Sequence, residues 1–249
     1  MIRIEDLPAP PADARIPYGT KANQFGDLRM PKGDGPHPTV IYLHGGFWRV
    51  KYDLTHAGHF CAALTGAGYA TWSLEYRRLG EDGGGWPGTL EDVLAGALYL
   101  DKLAARYQLD ASRTVLVGHS AGGHLALWTA AQDALSLVGV VSLAGVCDLR
   151  RAWEMKLGNS VVEEFLGGSP EQVPERYAYA SPIELLPMKV PQHLVHGTAD
   201  ADVPLEISER FASASAHAKL TVLEGAGHIE LIDPRAREWA PVLASIREW

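Results

Sequence analysis

Six short segments built almost entirely from apolar and β-branched residues recur along the chain, separated by stretches with helical spacing. They span 39–43, 69–74, 114–118, 137–143, 194–196 and 220–223. A strand that is apolar on both sides must be covered on both sides. The pattern therefore predicts an α/β protein, with a mostly parallel central sheet and helices on both faces. Helices are expected over 55–66, 89–107, from Ser120 to about residue 133, 205–216 and 234–249. In the second of these, Leu90, Val93, Leu94, Ala97, Leu98, Leu100 and Leu103 recur at helical spacing, and Thr89 is placed to cap the N-terminus. The first 20 residues read as an irregular arm. Residues 146–190 break the alternation. They carry mixed charges, Gly167-Gly168 and aromatics, are too long for a plain loop, and predict a small helical cap insertion over one end of the sheet. With that insertion, 1–249 reads as a single domain.

The strand over 114–118 runs directly into Gly118-His119-Ser120-Ala121-Gly122, a G-x-S-x-G pentapeptide, and then into a helix. A strand-to-helix reversal with a serine at its apex forces an unusual backbone conformation, and bulky neighbours would clash. The turn leaves the hydroxyl in the open at a helix N-terminus, where free N–H groups and the helix dipole favour negative charge. Serine becomes a nucleophile only when a base takes its proton, and a carboxylate must hold that base in place. On this architecture the partners follow in the order Ser, acid, His. Downstream of Ser120 stand His124, His193, His196, His217 and His228. His228, in Glu224-Gly225-Ala226-Gly227-His228 just past the last strand, sits on a glycine-rich turn that can carry an imidazole to the carboxyl edge of the sheet. His196 opens His-Gly-Thr-Ala-Asp-Ala-Asp-Val-Pro, where Asp200 and Asp202 compete for the role of acid. His124, four residues into the helix after Ser120, reads as a packing residue, His193 begins a strand, and His217 reads as a surface residue of the 205–216 helix.

Acyl transfer also needs donors for the oxyanion. His44-Gly45-Gly46-Phe47-Trp48 follows the first clear strand, and glycines allow backbone N–H groups to approach a ligand closely. The expected donors are the Ala121 amide and amides from Gly45, Gly46 or Phe47. Losing one such donor costs about 3 kcal/mol, or 100-fold or more in rate. Trp48, Trp86 and Trp153 are candidates to line a substrate pocket, because aromatic walls suit apolar groups.

Taken together, these residues resemble the α/β-hydrolase superfamily, and within it the hormone-sensitive-lipase-like and arylformamidase-like esterases. The resemblance covers about residues 18 to 240. It is strongest at Tyr42 to Trp48, Glu75-Tyr76-Arg77, Gly118 to Leu125, His196 to Pro204 and Gly225 to His228. It implies Ser120 as nucleophile, Asp200 as acid, three residues after His-Gly and with Val203-Pro204 in register, and His228 as base. The family's oxyanion loop is usually HGGG. Here Phe47 takes the third glycine position, and alignment makes Gly46 and Phe47 the expected donors. The form HGGxW resembles kynurenine formamidases. Arg77 is expected in a structural ion pair, and Asp148 is expected to orient a loop or the cap.

The implied function is a carboxylesterase that cleaves esters with short acyl chains through an acyl-enzyme. The alternative is an arylformamidase acting on N-formylkynurenine. The His-Gly-Thr-Ala-Asp loop is also similar to prolyl-oligopeptidase relatives, but the chain lacks any propeller-sized domain for large-peptide processing. A non-catalytic binding scaffold would be expected to lack a triad residue, and all three are present.

Composition narrows the partners. With 22 Lys+Arg against 30 Asp+Glu, the formal charge is −8. No Lys/Arg cluster exists to bind nucleic-acid phosphates. An acidic chain gives no help with anionic substrates, so neutral or cationic small-molecule esters or amides are expected. At 47% hydrophobic and 21% charged residues the chain is not disordered. No window approaches 18 apolar residues and the N-terminus has no signal-like run, so no membrane partner and a cytoplasmic location are expected. Cys61 and Cys147 read as small buried hydrophobes. No phosphate loop or Cys/His ligand spacing occurs, and the i, i+3 pair His56 and His59 lacks a third ligand and reads as surface or packing. No metal and no cofactor are expected. Oligomeric state, which includes a homo-oligomer, is left open.

Overall fold

The computed structural model describes residues 4–249. Eight strands, β1 (Ala14–Pro17), β2 (Phe25–Arg29), β3 (His37–Leu43), β4 (Ala70–Leu74), β5 (Leu109–His119), β6 (Gly139–Leu143), β7 (Gln192–Gly197) and β8 (Ala218–Leu223), form one sheet in the order β1-β2-β4-β3-β5-β6-β7-β8. The two pairings made by β2 are antiparallel and the other five are parallel. This is the mostly parallel α/β sheet expected from the sequence.

Alternation along the buried strands sends successive side chains to opposite faces. Ile41, Leu43, Leu116, Val140 and Leu194 join one core cluster. Val40, Tyr42, Val115, Val117, Val141, Leu143 and Val195 join the other. The first face is covered by α2 (Gly88–Leu98), α3 (Leu100–Tyr107), α4 (Ala121–Ala131) and α8 (Glu206–Ala214). The second is covered by α1 (Gly58–Gly66) and α9 (Trp239–Arg247), through Phe60, Cys61, Leu64, Val242 and Ile246. Each such side chain, taken fully out of water, contributes roughly 1.5–3 kcal/mol.

Several local expectations need correction. The N-terminal arm is not irregular throughout: β1 and β2 pair, and Arg15 grips Asp27 through two hydrogen bonds of 2.8 and 3.0 Å. The helix expected over 89–107 is divided at Tyr99 into α2 and α3. Thr89 is not a cap but lies inside α2, where its hydroxyl accepts from Gly85 N–H and donates to the Arg77 carbonyl. α8 ends at Ala214, so His217 stands in the exposed turn before β8. The final helix begins at Trp239.

Between β6 and β7 the chain forms α5 (Leu149–Glu154), α6 (Leu157–Leu166), α7 (Pro174–Ala180) and a 3-10 turn at Pro182–Leu185. Asp148 N-caps α5 by accepting from Arg151 N–H at 3.0 Å, and its other oxygen accepts from Arg210 at 2.8 Å. It therefore orients this segment, as the sequence suggested. α6 opens with a left-handed stretch, with φ of 54° at Lys156 and Gly158 and 59° at Asn159 and Ser160.

Candidate active site

Register brings the relevant loops to one edge of the sheet. Leu43 of β3 lies beside Gly118 of β5, and Leu143 of β6 beside His119. Val195 of β7 lies beside Leu143, and Leu223 of β8 beside Gly197. The chain segments leaving β3, β5, β7 and β8 thus emerge together at the carboxyl ends of parallel strands, where open α/β sheets bind ligands.

β5 ends at His119 and α4 begins at Ala121, so Ser120 alone makes the reversal, with φ 57° and ψ −121°. A non-glycine residue held there costs on the order of 1–3 kcal/mol, which its surroundings must offset. Ser120 N–H donates to the Leu143 carbonyl at 2.8 Å, and the Ser120 carbonyl accepts from His124 N–H at 3.1 Å. The flanking glycines are there for space. A Cβ on Gly122 would stand 2.0 Å from the Leu43 carbonyl oxygen, and one on Gly118 would stand 2.0 Å from that of Gly122.

Asp200 and His228 meet on the segments after β7 and β8, with His228 Nδ1 2.6 Å from Asp200 Oδ2. The carboxylate accepts, so Nδ1 carries the proton and Nε2 is left as the basic nitrogen. Burial alone would raise the Asp200 pKa. Hydrogen bonds from His196 and His228 outweigh it and hold the carboxyl below its ordinary range. Asp200 Oδ1 accepts from the amides of Asp202 and Val203, each at 2.9 Å. His196 is fully buried between Ser208 and the Val203 carbonyl, 3.4 Å from Asp200. Asp202, the competing acid, makes no side-chain contact with His228 of this kind. Asp200, Asp202 and His228 could together offer three metal-ligand atoms within 4.8 Å. The Asp200 oxygens, however, are already engaged by two amides and the His228 ring.

The His44–Trp48 loop takes three successive positive φ values, 111° at Gly46, 53° at Phe47 and 56° at Trp48. Phe47, at the position where the related loops carry glycine, therefore has a glycine-like backbone. Gly45 is pressed against the reversal: a Cβ there would stand 3.0 Å from Ser120 Cβ. The amides of Gly46, Phe47 and Ala121 donate to no acceptor among the described residues. His44 anchors the loop from behind. Its Nε2 is 3.0 Å from Glu75 Oε1, its ring stacks on Tyr76 at 4.4 Å, and its carbonyl accepts from Tyr76 Oη at 2.8 Å. Burial acts to raise Glu75, but His44 and then Arg78 hold it ionised below its usual value. Glu75 also accepts from the amides of Leu54 and Tyr76. This bracing role was not read from the sequence, although Glu75-Tyr76-Arg77 marked the place. Arg77 forms the expected structural pair, gripping buried Asp92 through Nε and Nη2 at 2.8 and 2.6 Å.

A cavity of about 200 Å³ is lined by Gly46, Phe47, Tyr52, His56, His119, Ser120, Asp202, His228 and Ile229. The three tryptophans expected there are elsewhere. Trp48 is buried in the core, stacked on Phe165 at 4.6 Å and donating to His124 Nδ1 at 3.2 Å. Trp86 lies against Tyr179 beside a separate surface cleft. Trp153 donates to Glu163 on α6. Positive φ at Trp48 turns its ring inward, a reversal the HGGFW spelling does not disclose. His56, set aside as surface or packing, is instead part of the cavity wall. His124 packs as expected: buried, with Nε2 donating to the Ala180 carbonyl at 2.9 Å and its pKa pushed down to about 4 by burial.

This fold, with its serine at a strand-to-helix reversal, is that of the α/β hydrolases. The chain belongs to the BD-FAE family, whose model matches residues 27–214. It is 26% identical over 249 residues to a probable isoprenylcysteine alpha-carbonyl methylesterase, ICMEL1, of Arabidopsis thaliana, covering 87% of this chain and 50% of that protein. It is also 26% identical over 143 residues to kynurenine formamidase of Danio rerio, covering 54% of this chain and 46% of that protein. The chain spans about half the length of the curated relatives it matches. Among solved structures, a truncated form of carbohydrate esterase from gut microbiota superposes with a TM-score of 0.79 at 21% identity, covering 98% and 97% of the two chains. That likeness bears on the fold. No helix among the described residues is long and apolar enough to cross a membrane.

Proposed function

We propose that the protein is a serine carboxylesterase that cleaves small carboxylic esters through an acyl-enzyme. The observation that carries this reading is the opening of Ser120 and the Asp200-oriented His228 onto one cavity. In this scheme Ser120 Oγ attacks the ester carbonyl carbon while His228 Nε2 takes its proton. The tetrahedral oxyanion is met by the Ala121 amide and by Gly46 and Phe47, the two loop residues that line the cavity; Gly45 lies behind them. Collapse expels the alcohol, which leaves with the proton from His228. Water, deprotonated by the same imidazole, then releases the acid and restores Ser120. Asp200 stays ionised throughout and holds the Nδ1–H tautomer. No group in this scheme requires a metal or cofactor. The esterase name of the Arabidopsis relative supports the ester class. The residues between β6 and β7 act as a short cap: Phe165 stacks on Trp48, and Phe47 packs where a Cβ on Gly158 would stand 2.8 Å away.

The HGGFW loop and the partial match to a kynurenine formamidase favour a second reading, hydrolysis of an aryl formamide by the same residues. A panel of p-nitrophenyl acetate, butyrate and octanoate beside N-formylkynurenine separates the two. The esterase reading expects turnover of the acetate, loss of at least 10³-fold in Ser120→Ala, and a formamide rate well below the ester rate. An equal rate on esters in Ser120→Ala would sink the assignment, and a dominant formamide rate would transfer it to the second reading.

A further inference from the structure

The cavity wall holds two imidazoles that the proposed mechanism does not use, and each has one nitrogen committed to a backbone carbonyl. His56 Nδ1 lies 2.8 Å from the Asp53 carbonyl, and His119 Nε2 lies 3.0 Å from the His228 carbonyl. A carbonyl can only accept, so both of these nitrogens carry the proton. The other nitrogen of each ring is left as a bare acceptor. His119 Nδ1 is enclosed and has no partner among the described residues. His56 Nε2 has no partner among the described residues, and its ring is set edge-on to His44 and Tyr52 at 5.9 and 6.2 Å. Burial keeps both rings uncharged near neutral pH: it lowers His56 to about 4 and His119 well below its ordinary value. No lysine or arginine lines this cavity.

We propose that His56 is a specificity-determining residue whose Nε2 accepts a hydrogen bond from a substrate hydroxyl, so that esters bearing a free hydroxyl close to the scissile bond are the preferred class. The physical basis is the cost of a substrate displacing water from an acceptor without replacing its hydrogen bond. A wholly aliphatic ester would leave the His56 lone pair unpaired, whereas a site built to bond a hydroxyl discriminates strongly against the analogue that lacks it. His119 Nδ1 is closed off from solvent against Gly45, so of the two imidazoles His56 is the one a substrate can reach. The proposal rests on the esterase reading and adds the substrate class to it.

The test uses two pairs of equal size, 2-hydroxyethyl acetate with propyl acetate and ethyl hydroxyacetate with ethyl propanoate. Each rate is divided by the hydroxide-catalysed rate of the same ester. In the wild-type protein the hydroxyl ester of at least one pair is expected to show about tenfold or greater kcat/KM, the equivalent of one hydrogen bond to the site. The pair that responds tells whether the hydroxyl sits on the alcohol or the acyl side. His56→Phe should collapse that ratio towards unity, and His56→Gln, which restores a side-chain acceptor, should recover part of it. His56→Leu takes the place of the Phe variant if its melting curve shows a folding defect. If the wild type hydrolyses none of the four esters, the esterase reading fails and takes the proposal with it. If it hydrolyses them without preference, or with a preference that His56→Phe keeps, the hydroxyl subsite alone is overturned.

Discussion

Asp200 shows how one side chain can define a site's geometry. Four groups converge on its two oxygens: the amides of Asp202 and Val203, the His228 ring and, at 3.4 Å, the His196 ring. The carboxylate is fixed before His228 arrives, and the imidazole inherits its orientation. Asp200→Asn should keep the fold but offer His228 an amide that can settle with its N–H facing Nδ1, which favours the wrong tautomer. A loss of about 10³–10⁴-fold in kcat is expected. Asp202→Asn, whose carboxylate lies at the exposed rim, should lose less than tenfold. Steady-state kinetics on p-nitrophenyl acetate for the two variants decides between the acids, and the reverse order would reassign the role to Asp202. From sequence alone, both aspartates sat in one loop and only family register chose between them. The cavity side of His56 was out of reach, because an i, i+3 histidine pair carries no signal of which strand end the 3-10 turn that holds His56, Leu54–Ala57, will face.

At the scale of elements, the HGGFW loop, α4 and the β6–β7 segment are fastened at one point. Trp48 Nε1 donates to His124 Nδ1, and His124 Nε2 donates to the Ala180 carbonyl at the end of α7. Trp48→Phe keeps the ring against Phe165 but leaves a buried imidazole nitrogen unpaired. It should destabilise by about 1–3 kcal/mol, measured by urea unfolding. The left-handed stretch that opens α6 makes the opposite prediction. An L-residue in this conformation costs roughly 1–2 kcal/mol, and glycine adopts it freely at an entropic cost of roughly 0.5–1 kcal/mol. Ser160→Gly should therefore leave stability unchanged or raise it by up to about 1 kcal/mol, where most glycine substitutions in a helix lower it. A clear loss would show that Ser160 contributes side-chain contacts larger than the strain. The apolar parallel strands were legible because burial on both faces leaves a continuous hydrophobic run. β2 was not, because Phe25–Arg29 places Asp27 and Arg29 inside, and their partners, Arg15 and the Pro10 carbonyl, lie far away in sequence. The tryptophans were misplaced for a related reason. Aromatic residues next to a catalytic motif look like pocket walls, and only backbone torsion shows that Trp48 turns into the core.

For the whole molecule, His56, His119 and His124, whose charged forms burial disfavours, set how the fold responds to acid. His56 and His124 are lowered to about 4 and His119 well below its ordinary value, burial being the largest cause in each case; the second, for His56 and His119, is a neighbouring imidazole. In the unfolded chain these rings titrate near 6.5. Above that pH neither state is protonated and stability does not depend on them. Between about 6.5 and 4 the unfolded chain takes up protons that the native state refuses, so stability falls as pH falls. Each ring contributes a slope approaching about 1.4 kcal/mol per pH unit, and a fully buried ring shifted to about 4 accounts for roughly 3 kcal/mol over the whole interval. Asp200 and Glu75, both lowered, act in a second window. Their contribution is complete above the unfolded carboxylate value near 4 and is lost as pH drops below it. The chain should therefore begin to lose stability near pH 6.5, well before its carboxylates titrate, with a second decline below about pH 4. Thermal melts at half-unit steps from pH 8 to 3.5 test this. His124→Gln should flatten the upper decline by about one proton's slope, since the amide can still accept from Trp48 or donate to Ala180 but cannot take up a proton when unfolded. A melting temperature that stays level from pH 7 to 4.5 would mean that these imidazoles are hydrated and free to titrate in the folded protein. The same result would remove the basis for treating His56 as a neutral acceptor in the cavity that holds Ser120.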